Sequence, residues 1–137
     1  MNYIKSLRDF LINDPEISAI VGDRVAFLKR NDDWERPFII FTEGAQVNNH
    51  QGFFWEEGLD EVAVIFDIVV DYEDAVIWRE LRQLLVKKLN AQTTMDAVPL
   101  FEWYGSIWWD RHFEVLYNPE KELISRQTRF VFKNTYG

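Results

Sequence analysis

Between Glu61 and Tyr72 the apolar residues alternate. Val62, Val64, Phe66, Ile68 and Val70 share one parity, and Ala63, Ile65, Asp67 and Val69 share the other. A period of two is what a pleated strand with two distinct faces requires. From Asp74 the period lengthens: Ile77, Trp78, Leu81, Leu84, Leu85 and Leu89 recur at three and four residues, with Arg79, Glu80, Arg82, Gln83, Lys87 and Lys88 between them. This predicts an amphipathic helix over 74–89 laid on a sheet. The helix can cover the Val62–Val70 face of the strand. The second face is half apolar and carries the carboxylate of Asp67, which needs a partner if it is buried. Arg126 and Arg129 on the last strand are candidates within the chain, and a neighbouring subunit would serve as well.

Upstream, Tyr3, Ile4, Leu7, Phe10 and Leu11 fall on one face of a first helix over 2–13. Asp14 before Pro15 and Glu16 is an N-cap acceptor followed by proline at the first helical position, which predicts a short second helix stopped by Gly22. Arg24 to Lys29, carrying Val25, Ala26, Phe27 and Leu28, is a short strand, and the polar run 30–36, holding Trp34, breaks it. Pro37 opens a strand, Phe38 to Thr42, whose continuous apolar run predicts burial on both faces. The stretch 45–58 is loop-like and contains Phe53, Phe54 and Trp55 in a row. Those three rings either continue a hairpin with the central strand or form a protruding arm that buries them on another chain. Over 100–115, Phe101, Trp103, Ile107 and Trp109 alternate with Tyr104 and Trp108, and Gly105 predicts a bend or bulge there. Asn118, Pro119 and Glu120 make a turn. In the last strand Arg126, Thr128, Phe130 and Phe132 oppose Ser125, Gln127, Arg129 and Val131. The expectation is a single α+β domain over 1–137, with one mixed or antiparallel sheet of about five strands and helices packed on one face.

Composition narrows the function. Fifteen basic against 23 acidic residues leave a net charge of −8, which argues against binding a phosphate backbone. The absence of cysteine removes disulfides, thiolate metal sites and cysteine nucleophiles, and suits a reducing cytosol. Lys5, Arg8 and Asp9 interrupt the apolar pattern of the N-terminus, so no signal peptide is expected. No run approaches the roughly 18–20 apolar residues of a membrane span, and the expected chain is soluble. Twenty-two aromatic residues in 137 are many for one small core. They imply either a Trp-rich core or rings spent on an interface.

Material for catalysis is thin. His50 and His112 lie far apart and read as surface or interface imidazoles, and no nucleophile elbow or phosphate-cradling glycine pattern is present. Carboxylates cluster at Glu56, Glu57, Asp60 and Glu61 and again at Asp71, Glu73 and Asp74. The second group is better explained by a helix start, with Asp74 as N-cap, than by paired acid–base work. No catalytic residue, metal or cofactor is expected.

Leu7, Leu11, Asp14 and Pro15, with Ile20, Val21, Gly22, Asp23, Arg24 and Val25 after them, resemble the start of the small tail-completion or tail-terminator proteins of long-tailed bacteriophages. The resemblance extends through the proline-led strand at Pro37, the long strand, the helix and the Asn118-Pro119-Glu120 turn before Arg126, Phe130 and Phe132. It implies a non-catalytic virion protein, assembled in the host cytoplasm as a ring, typically a hexamer. Such a ring caps the tail tube, stops its polymerisation and faces the head's connector. The implied partners are further copies of the chain, the tail tube protein and the connector. DNA passes through the ring without specific binding, and no membrane is involved.

A ring of head-to-tail subunits needs two different surfaces per subunit. Candidate interface residues are Phe53, Phe54, Trp55, Ile65, Asp67, Val69, Tyr104, Trp108, Arg126 and Arg129. The competing expectation is a monomeric acidic module that blocks a basic partner, in the manner of an immunity protein bound to a nuclease toxin.

Overall fold

A computed structural model describes residues 3–29, 33–43, 61–90, 92–93, 105–114 and 116–134. Two helices, α1 (Tyr3–Asn13) and α2 (Pro15–Val21), lead into strands β1 (Val25–Phe27), β2 (Phe38–Glu43) and β3 (Glu61–Asp71). After a single 3-10 turn, Tyr72–Asp74, come α3 (Ala75–Leu89), β4 (Gln92–Thr93), β5 (Gly105–His112), β6 (Leu116–Asn118) and β7 (Leu123–Asn134). The strands form one mixed sheet in the order β1-β2-β3-β7-β5-β4, with β6 also paired to β7. Among the described strands only β1 and β2 pair in parallel. The fold is α+β with a single sheet, and short pairings at its margins bring the number of described strands to seven.

The predicted cap at Asp14 is present: Oδ2 accepts the backbone N–H groups of Glu16 (3.2 Å) and Ile17 (3.0 Å). Gly22 closes α2 at φ +60°, a conformation open to glycine without a Cβ penalty. The start of α3 differs from the expectation. Asp74 occupies the N-cap position, but its side chain makes no capping bond. The preceding 3-10 turn shifts the helix start to Ala75.

Register sorts the sheet residues onto two faces. Opposite Val64, Phe66, Ile68 and Val70 of β3 lie Phe41 and Ile39 of β2 and Phe130, Thr128, Arg126 and Ile124 of β7. Val64, Phe66, Ile68, Val70, Ile39, Phe41, Phe130 and Phe132 form the core with Leu7 and Leu11 of α1, Ile17 and Val21 of α2, and Leu81, Leu85 and Leu89 of α3. Aromatic rings run across it, Phe41 to Phe66 at 5.8 Å and Phe66 to Phe130 at 5.4 Å. All three helices contribute to this face. Lys88 of α3 fastens the helix layer by reaching Asp14 (3.2 Å) and Glu16 (2.8 Å).

The other face carries Ile40, Ala63, Ile65, Asp67, Val69, Ser125, Gln127, Arg129 and Val131, of which Ala63 and Val69 are buried, and no described helix contributes to it. Here the expectation of a doubly buried β2 needs correction. Ile39 and Phe41 are fully buried on the helix side, and Phe38 is buried on the other, but Ile40 is only half-buried on the helix-free face.

The predicted irregularity in the Trp-rich strand falls at Asp110 rather than at Gly105. The β5–β7 register slips between Trp109 and Arg111, and this reverses the parity of the strand beyond it. Ile107 and Trp109 pair with Phe132 and Phe130 before the bulge, and His112 pairs with Thr128 after it. One extra residue thus puts Trp109 and His112 on the same face, with rings 4.9 Å apart.

Candidate functional site

A concavity of about 770 Å³ is built on the helix-free face. Phe38 and Ile40 of β2, Asp67, Val69 and Asp71 of β3, and Leu123 and Ser125 of β7 make its floor, while Trp34, Arg36 and Lys121 belong to its rim. Local chemistry explains the rim. Trp34 lies 6.3 Å from Phe38, centroid to centroid, and Arg36 Nε donates to Asp71 Oδ1, tying the segment before β2 to the end of β3. Leu28, at φ +68°, donates its N–H to the Phe41 carbonyl and leaves its side chain 65% exposed beside the groove.

Asp67 sits in the middle of the floor, between Ile40 and Gln127 on the neighbouring strands. Its Oδ1 is buried and has no hydrogen-bond partner among the described residues. Burial raises its pKa above the ordinary carboxylate value, because desolvation disfavours the charged form. Neither of the two arginines expected to neutralise it does so. Arg126 faces the helix layer, opposite Ile68, where its guanidinium stacks over Trp78 and donates to the Phe113 carbonyl. Arg129 shares a face with Asp67 but is spent on Asp110, donating to Oδ2 at 2.9 Å. The bulge at Asp110 supplies that competing carboxylate, and no periodicity in the sequence announces it.

Ile65, Asp67, Val69, Trp108 and Arg129 therefore share the helix-free face, with Trp108 paired to Val131 and 43% exposed. Arg126 belongs to the opposite face. Phe53, Phe54, Trp55 and Tyr104 lie outside the described residues. The face adjoins a second aromatic feature at the end of the sheet, where the rings of Tyr72 and Tyr117, both more than half exposed, meet at a tilt of 47° with centroids 4.9 Å apart. Sequence reasoning missed this pair because the two tyrosines sit in different elements, outside any periodic stripe.

No protein-family model, curated protein or solved structure matches the chain. The groove thus stands on its own geometry: a partly apolar concavity whose floor holds a carboxylate, Asp67, with no ion-pair partner among the described residues. Among the described residues no group of three or more His, Asp or Glu side chains is arranged to hold a metal ion, and no described helix is long and apolar enough to cross a membrane.

Proposed function

We propose that the protein is a self-assembling structural subunit, and that it forms the ring that closes the tail tube of a long-tailed bacteriophage and joins the tail to the head. The observation that supports assembly is the helix-free sheet face. Phe38, Ala63 and Val69 are buried on this face within the chain, but Ile40, Ile65 and Val131 are only half-buried there around a carboxylate with no partner among the described residues, and that remaining apolar area and charge suit a second molecule. The tail-specific part of the reading rests on the order of elements and motifs from Leu7 to Phe132. In a head-to-tail ring this face meets a different surface of the next copy, and an arginine or lysine from that copy pairs with Asp67. The tail tube protein and the head's connector are the further partners of such a ring. A net charge of −8 suits a lumen through which DNA slides without sticking.

An Asp67 awaiting a cation also supports the acidic-module reading, in which the cation comes from a basic partner protein. Oligomeric state separates the two. Light scattering at rising concentration is expected to reach one closed multiple of the 16.4 kDa chain. A species that stays at one chain and binds a basic protein one to one contradicts the ring. Within a ring, charge mapped onto the lumen is expected to be acidic or neutral, and a basic lumen removes the DNA-passage role.

A further inference from the structure

On the opposite face from the groove, α3 and β7 bring cations together with no described carboxylate paired to them. Arg82 and Arg126 place their guanidinium carbons 5.3 and 5.2 Å from the centroid of the Trp78 ring. Arg79 lies one residue from Trp78 on the same helix and close enough to Arg82 to act on it electrostatically. None of the three is ion-paired with a described carboxylate. In a chain with eight more acidic than basic residues this is an unusual local excess of positive charge.

The surrounding groups are short of acceptors too. Trp78 is buried, with 8% of its surface exposed, yet its indole Nε1–H has no acceptor among the described residues. His112, beside the cluster, has a buried Nδ1 with no described partner, and in the Nδ1–H tautomer of its neutral ring this is a further donor without an acceptor. Arg126 satisfies one donor on the Phe113 carbonyl, whereas Arg82 makes no side-chain hydrogen bond to a described residue. Buried donors and adjacent guanidinium groups are normally neutralised within a fold, because like charges left together repel and a buried donor without an acceptor is costly. Among the described residues the component missing here is negative, with oxygen acceptors.

We propose that Arg82 and Arg126, set about Trp78, form with the neighbouring Arg79 an oxyanion-binding site that takes a carboxylate or phosphate group. Guanidinium forks bind such groups through paired charge-assisted hydrogen bonds, and stacking on the indole holds the planes ready at low entropic cost. The site lies on the helix side of the sheet and stands independently of the assembly surface. An oxyanion reaches it either free in solution or as an acidic side chain of another molecule, and both sources present the same chemistry.

Titration with inorganic phosphate, and separately with acetate, at constant ionic strength set by sodium chloride tests the proposal. Proton–nitrogen NMR follows the Trp78 indole N–H and the His112 ring, assigned through Trp78→Phe and His112→Gln. The expected result is a saturable shift with a midpoint on the order of 1 mM and an upward move of the His112 pKa as the anion offsets the arginines. Arg82→Gln weakens binding at least ten-fold, and the exposed Arg79→Gln weakens it less, both with otherwise unchanged spectra. Saturation by acetate points to a carboxylate ligand, and saturation by phosphate alone to a phosphate ligand. Shifts that are linear in concentration and match those of chloride, or equal affinity in Arg82→Gln, overturn the site.

Discussion

Asp67 and His112 are two side chains whose surroundings oppose their charged forms, and they respond to pH with opposite sign. Burial raises the Asp67 pKa, so the folded state holds its proton more tightly than the unfolded chain, and this carboxylate weakens the isolated fold as pH rises above the ordinary value of 3.8. Asp67→Asn removes the uncompensated charge at nearly constant volume. It is expected to stabilise the monomer at neutral pH by about 1 kcal/mol in urea unfolding, while weakening self-association. A variant that is less stable than wild type shows that Asp67 has a partner within the fold. For His112, burial comes first and then the charges of Arg82 and Arg126, which together push its pKa down to about 4. The unfolded imidazole therefore binds protons more readily, and the stability His112 contributes, full above about 6.5, declines as pH falls from there towards 4. His112→Gln is expected to flatten the stability profile in that window alone. An unchanged profile places the imidazole in water.

At the scale of elements, the helix layer is held by apolar burial and by one polar junction. Leu85 is fully buried between α3 and the sheet, and Leu85→Ala is expected to cost about 2–5 kcal/mol in denaturant unfolding. Asp14 both caps α2 and receives Lys88, so Asp14→Ala is expected to cost about 1–2 kcal/mol. The loss should be larger than for Lys88→Met, which spares the cap. Periodicity made most of this legible: the two-residue repeat of β3, the three-to-four spacing of α3 and the Asp14-Pro15 cap each correspond to the elements found. What periodicity could not carry was anything that depends on which strands become neighbours. The placement of Asp67 beside Gln127, and of Arg126 against Ile68, arises from the β3–β7 register, a long-range outcome. The bulge at Asp110 then re-aims His112 and engages Arg129, and one inserted residue in an alternating run leaves no compositional mark. The Trp78 cluster was hidden for the same reason, since its arginines come from α3 and β7, elements far apart in the chain.

For the whole molecule, the sheet divides two roles. Its helix side holds nearly all the core, and its other side carries a groove, exposed Trp108 and an uncompensated carboxylate. A subunit that leaves one face of its described sheet without a described helix layer is suited to burying that face in an assembly, which is the central claim. Ile65 is half-buried at the middle of that face, opposite Thr42 and Arg129, and does not belong to the core. Replacing it by lysine adds charge to the face without opening a cavity beneath the helices. The most direct measurement is molar mass by light scattering across a concentration series, for wild type and Ile65→Lys side by side. Wild type is expected to converge on one closed multiple of 16.4 kDa, six-fold if the ring is a hexamer, with Ile65→Lys remaining at a single folded chain. A wild type that stays at 16.4 kDa throughout, or a ring that forms equally well with Ile65→Lys, contradicts it.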